Sequence, residues 1–180
     1  NDFFLLYFHC VQVSKFILKI IVNNLETLPT IMRTSLTVEF AKLSDEAKLP
    51  TQGSPQAAGW DLYALEETIV EKRKSTMIKT GLAVAIPEGW EGQIRCRSSL
   101  GKKGMIMPNG IGTIDSDYRG ELMVLATWIG EQENFTVKKG ERVAQLLFAP
   151  VPKVIIVETK YEDLGETERG TGGFGSTGEF

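Results

Sequence analysis

From Leu36 onward the chain is broken into short β-rich runs by turn residues, and this spacing constrains the fold more than any other feature. Candidate strands are 36–43, 60–64, 68–70, 76–86, 91–96, 122–129, 135–137, 143–151 and 154–158. Turn signals separate them: PEGWEG at 87–92, KKGE at 138–141, and APVPK at 149–153, where Pro150 and Pro152 cannot sit in a central ladder. No stretch of this region follows a 3.6-residue apolar period for more than about three turns. The pattern predicts an all-β sandwich or barrel. With 180 residues, 42% of them hydrophobic, there is material for one core and one such domain. No internal repeat is visible.

The first 31 residues read differently, being aromatic and β-branched but nearly free of small polar residues. Gln12, Ser14, Lys15 and Lys19 interrupt any membrane-length apolar run, and Asp2 stands where a signal peptide carries positive charge. The stretch has no arginine and one serine, unlike a transit peptide. Met32 opens MRTSLTVEF, a plausible first strand, so residues 1–31 are expected to be an extension outside the core. A targeting or membrane-surface helix is the competing reading.

Charge and rare residues narrow the chemistry. A net charge of −3 argues against general nucleic-acid binding, and no membrane partner is expected. Two cysteines, Cys10 and Cys96, cannot form a disulfide framework, which predicts a reducing intracellular location, cytoplasmic or nuclear. The single histidine, His9, beside Cys10, offers too few ligands for a structural zinc site. If His9 is set aside, acid–base work falls to carboxylates, lysines or tyrosines.

Several segments could carry that work. NGIGTIDSDYRGEL, residues 109–122, holds Asp115 and Asp117, which share a face if the backbone between them is extended. They could hold a metal, or one could activate water while the other is structural; a hairpin with turn-favouring acids is the plainer reading. RCRSSLGKKG, residues 95–104, offers Arg97 as a bidentate phosphate donor with Ser98 and Ser99 beside it, or is simply a solvated basic loop. Asp61 lies in the apolar run AAGWDLYA, where a buried acid is usually met by a backbone group or an arginine. GERVAQLLFAP, residues 140–150, places Arg142 and Gln145 in a strand, more often packing and edge polar groups than a site. RGTGGFGSTG, residues 169–178, fits G-x-G-x-x-G by spacing, but the chain ends before a helix could follow it. It has no Walker lysine either, leaving a phosphate-friendly tail expected to close over a site built elsewhere.

In this order and spacing, AGWDLYA, RSSLGKKG, GTIDSDYRGEL, GERVAQLLF and RGTGGFGSTG closely resemble the five motifs of the trimeric dUTPases, over about residues 33–178. The resemblance implies a distorted jelly-roll homotrimer, with a β-domain at 32–165 and a flexible glycine-rich arm at 166–180. It implies hydrolysis of dUTP to dUMP and pyrophosphate with Mg²⁺, which keeps uracil out of DNA and supplies dUMP for dTMP synthesis. By this likeness Asp115 matches the general base that deprotonates the attacking water. Asn109, Thr113 and Ile114 match the hairpin that reads uracil, and Tyr118 lies under the deoxyribose with Met123 as a neighbouring contact. Arg97, Ser98, Ser99 and Gln145 correspond to phosphate contacts.

Asp61 resembles an acid that orients magnesium-bound waters, with the ion itself held by the triphosphate and water rather than by side chains. In the arm, Phe174 would cover the base while Arg169, Ser176 and Thr177 hold phosphates, closing a site formed by two other subunits. Trp60 stands where tyrosine is commoner in the family and Thr171 where serine is; neither change removes a catalytic group. Two rivals accompany this expectation: a dCTP deaminase, which has a similar RSSLG stretch, and a binding or regulatory protein that keeps the fold and uses residues 1–31 as an interaction arm.

Overall fold

Alternation of buried and outward residues runs through the longer strands, as period-two side-chain geometry requires. In Trp90–Cys96, Gly92 and Ile94 are buried while Arg95 is exposed; in Met123–Trp128, Val124 and Ala126 are buried to 0% exposure. The computed structural model describes residues 35–173. Its strands are β1 (Glu39–Lys42), β2 (Thr51–Gln52), β3 (Trp60–Tyr63), β4 (Thr68–Glu71), β5 (Thr76–Lys79), β6 (Leu82–Ala85), β7 (Trp90–Cys96), β8 (Met105–Ile106), β9 (Gly112–Ile114), β10 (Met123–Trp128), β11 (Asn134–Val137) and β12 (Arg142–Pro150). A six-residue helix, α1 (Ser98–Lys103), follows β7, and a 3-10 turn spans Tyr161–Leu164. No described helix is long and apolar enough to cross a membrane.

The strands form a five-stranded sheet in the order β2-β3-β12-β7-β9, a three-stranded sheet β5-β10-β8, and the pairs β1-β6 and β11-β4. Every pairing between these strands is antiparallel, and the whole is an all-β, distorted jelly roll. The core draws on all four sheets: Leu62, Ile78, Leu82, Ile94, Leu122, Leu146, Val70 and Val137 are almost completely removed from water. Each side chain of that size contributes about 1.5–3 kcal/mol on burial.

Two strand expectations are corrected. The run 76–86 is two strands, because Thr80 and Gly81 turn the chain between β5 and β6. Gly81 has φ +67°, and a Cβ there would come within 3.0 Å of Ala47 and Leu65, so the turn requires glycine. Thr80, buried, donates its hydroxyl to the Leu122 carbonyl at 2.6 Å, fixing the turn against the start of β10. Residues 154–158 form no strand at all: Val154, Ile155, Ile156 and Val157 are 72–92% exposed. Their β-branched composition favours a ladder, but no strand edge among the described residues pairs with them. Residues 1–31, the expected extension, lie outside the described residues, as do Phe174, Ser176 and Thr177 of the arm.

Candidate active site

The segment joining β8 to β10 builds a cleft of about 330 Å³ against β5 and β7. A tight turn opens it: Gly110 donates its N–H to the Met107 carbonyl and Ile111 to the Asn109 carbonyl. β9 then pairs with β7, with Gly112 opposite Ile94, Thr113 opposite Gln93 and Ile114 opposite Gly92. Because Gly112 has no side chain, space is left between the Asn109 amide and Met107. Its polar lining is Asn109, Thr113, Asp115, Tyr118 and Glu121, and its apolar lining includes Met77, Met107, Ile114, Met123 and Leu125.

Asp115, directly after β9, is exposed at the rim, where the cleft meets a wider outer groove that Trp90, Val151 and Lys153 also line. Beyond it the backbone turns rather than extends, so Asp115 and Asp117 do not share a face as an extended chain would require. Tyr118 donates its N–H to the Asp115 carbonyl, and Arg119 Nη1 donates to the carbonyls of Ser116 at 2.7 Å and Tyr118 at 2.8 Å. Asp117 faces the outer groove and does not line the cleft. The Tyr118 ring, 39% exposed, lines the cleft with its hydroxyl donating to the Glu121 carbonyl at 3.0 Å.

A second cluster sits on the other side of β7. Asp61 on β3 is 3% exposed and opposes Gln145 on β12, which in turn opposes Arg95 on β7. Its carboxylate meets two cations: Arg97 Nε lies 3.1 Å from Oδ1, and Arg142 Nη1 donates to Oδ2 at 3.2 Å. The Arg97 contact is an ion pair without hydrogen-bond alignment, so among the described residues buried Oδ1 accepts no hydrogen bond. Arg97 Nη1 also donates to the Arg142 carbonyl at 3.3 Å, so part of the guanidinium read as a phosphate donor is engaged within the chain. Ser98 and Ser99 occupy the exposed first turn of α1 directly after Arg97. Arg169, the one arm contact among the described residues, donates Nε to the Gly172 carbonyl at 2.8 Å.

The two clusters do not converge in a single chain. β3 and β9 lie three strand spacings apart across the sheet, about 14 Å, and none of Asp61, Arg97, Ser98, Ser99 or Gln145 lines the cleft. Sequence reading missed Met77, Met107 and Glu121 in the cleft and Arg142 as the second partner of Asp61. Only Arg142 had a local signal, as a cation in the strand that also carries Gln145. Cys96, between the clusters, has its thiol pushed up from the usual range by burial, opposed by a backbone hydrogen bond from Gly101.

The chain is 46% identical over 147 residues to the deoxyuridine 5'-triphosphate nucleotidohydrolase of Syntrophotalea carbinolica, covering 80% of this chain and 98% of the relative. It is 45% identical over 139 residues to a probable deoxyuridine 5'-triphosphate nucleotidohydrolase of Schizosaccharomyces pombe, covering 76% and 95%. Among solved structures, the Staphylococcus bacteriophage 80alpha dUTPase with dUPNHPP aligns with a TM-score of 0.67 at 29% identity, over 80% of this chain and 99% of the phage protein. A mutant dUTPase from phage phi11 of S. aureus, whose structure shows the coordination of a structural Mg(II) ion, shares the fold at a TM-score of 0.64 and 23% identity, over 70% and 99%. The dUTPase family model matches residues 45–178, and by that match and these identities the chain belongs to the dUTPase family.

Proposed function

We propose that this chain hydrolyses dUTP to dUMP and pyrophosphate, with the cleft at β9 holding the base and Asp115 serving as general base. The observation that carries the reading is the cleft itself: the Asn109 amide and strand β9 on its lining, the Tyr118 ring beside them, and the exposed Asp115 carboxylate at its rim. Asn109 and the backbone at Thr113 and Ile114 would pair with the edge of uracil. Cytosine presents the opposite donors and acceptors, leaving buried groups unpaired at about 1–3 kcal/mol each. Tyr118 would lie under the deoxyribose, with Met123 beside it, and leave no room for a 2′-hydroxyl.

In the chemical step Asp115 takes a proton from water as the water oxygen attacks the α-phosphorus and the bond to the departing pyrophosphate breaks. Arg97, Ser98, Ser99 and Gln145 would hold the phosphates, and since they lie on the far side of β7 from the cleft, they serve the site of a neighbouring copy. A homotrimer satisfies that arrangement, with Arg169, Phe174, Ser176 and Thr177 of the arm closing it against bulk water. The donor set around Asp61 suits Mg²⁺ carried by the nucleotide. Two guanidinia next to the carboxylate disfavour its direct ligation of the ion, which would be held by the triphosphate and water. When bound, the ion neutralises charge on the triphosphate.

The test is incubation of the full chain with dUTP and with dCTP in the presence of Mg²⁺. Pyrophosphate from dUTP is expected; ammonia from dCTP, or no turnover of dUTP, rejects the reading. Light scattering should give three copies per particle, and a monomer that is active at high dilution would reject the shared site.

A further inference from the structure

Gly120 adopts a backbone conformation open to any residue, so its lack of a side chain is not explained by its φ. The Tyr118 ring explains it. A Cβ on Gly120 would run into the Tyr118 hydroxyl oxygen and lie 2.6 Å from Cζ, closer than real Cβ atoms come, so the ring would have to move. The ring folds back over the bare backbone of Gly120 and is pinned at its tip by the hydrogen bond to the Glu121 carbonyl.

The backbone on the following side cannot yield to relieve such a clash. Glu121 accepts the Gly81 N–H on Oε1 at 2.8 Å, Leu122 donates its N–H to the Leu82 carbonyl at 2.7 Å, and the Leu122 carbonyl accepts the buried Thr80 hydroxyl at 2.6 Å. Three hydrogen bonds therefore anchor residues 121–122 to the β5–β6 turn, whereas the Tyr118 ring is 39% exposed and free to leave. Trp128 covers Gly130 in the same way, but Trp128 is 3% exposed, belongs to the core and lines a separate surface pocket with Phe135. The ring seated on Gly120 is the one that lines the cleft beside Asp115.

We propose that Gly120 is a positioning residue that sets sugar specificity: its missing Cβ seats the Tyr118 ring as a fixed wall under the sugar, and any side chain there swings the ring out and admits ribose. This rests on the dUTPase reading of the cleft given above. The ring needs the seat more than its hydroxyl, since the hydroxyl contact is to a carbonyl at an exposed edge.

The experiment measures kcat/KM for dUTP and UTP with Mg²⁺ in the wild type, Gly120→Ala, Tyr118→Phe, Tyr118→Ala and Tyr118→Ala with Gly120→Ala, alongside thermal unfolding of each. Turnover of dUTP by the wild type establishes the parent reading independently; its absence rejects that reading and this proposal together. Given that turnover, Gly120→Ala should raise the UTP/dUTP ratio at least about tenfold while remaining folded, and Tyr118→Phe should shift the ratio less than Gly120→Ala does; a larger shift in Tyr118→Phe would assign the wall to the hydroxyl and overturn the proposal. Adding Gly120→Ala to Tyr118→Ala should change nothing further. An unchanged ratio in Gly120→Ala, or an equal effect of the substitution in the Tyr118→Ala background, overturns the proposal. So does failure of Gly120→Ala to fold, whether or not Tyr118→Ala rescues it, because the ring would then not be the part that gives way.

Discussion

On one side of β7 the cleft is lined by Gly112, thioethers and two carboxylates, of which Asp115 stands exposed at the rim and Glu121 is tied to the Gly81 N–H. On the other side a carboxylate at 3% exposure is held between two guanidinia. The difference teaches where function and stability are separable. An exposed rim carboxylate contributes little to folding and can be exchanged at the expense of chemistry alone. A buried, doubly paired one cannot be removed without leaving cations that were desolvated on its behalf.

The sharpest way to break this contrast is Asp115→Asn. Turnover should fall at least about a hundredfold with dUTP affinity held within about tenfold, measured by pyrophosphate release and by calorimetric titration with a non-hydrolysable analogue. Unchanged turnover would remove Asp115 from its role. Truncation after Glu168 should come next: a folded oligomer by light scattering and circular dichroism, with activity reduced at least about tenfold because closure over the site is lost. Full activity in the shortened chain would leave the arm without a function.

Asp61→Ala tests the other side. Breaking a fully buried pair costs about 3–5 kcal/mol, but the Arg142 side chain is 48% exposed and can swing into solvent. A loss of about 2 kcal/mol in denaturant unfolding is therefore expected, against less than about 0.5 kcal/mol for Asp115→Asn. Equal losses would erase the distinction between the two regions. The smallest effect concerns Cys96. Because burial raises its pKa, little thiolate is present at pH 8, and alkylation by iodoacetamide should be slower than that of a free cysteine peptide and speed up as pH rises past the usual thiol range. Rapid labelling at pH 8 would contradict the burial described.

Strands with several alternating positions were legible in the sequence, β7, β10 and β12 above all, because burial on one face imposes a period on residue type. β2, β8 and β9 were not, since two or three residues carry no period. The run 76–86 hid its break because Thr80–Gly81 is a turn set by contacts to Ala47, Leu65 and Leu122, all distant in sequence. Val154–Val157 misled for the opposite reason, as local composition promised a partner that the described residues do not supply. The motif residues of the site were legible through family likeness, and Asp61 meets the arginine partner that burial alone had suggested. Part of the apolar lining was not legible: Met77 and Met107 come from segments with no polar signature, and only folding brings them into the cleft with Asn109.

β7 reaches both regions, with Ile94 in the cleft wall and, three positions on, Arg97 against Asp61. An inserted or deleted residue between 94 and 97 would invert which face each later side chain presents, and so would uncouple base recognition from the ionic cluster in a single event. Descendants of this sequence are free to vary there in identity but not in length, which makes that short interval a ruler by which related chains can be aligned.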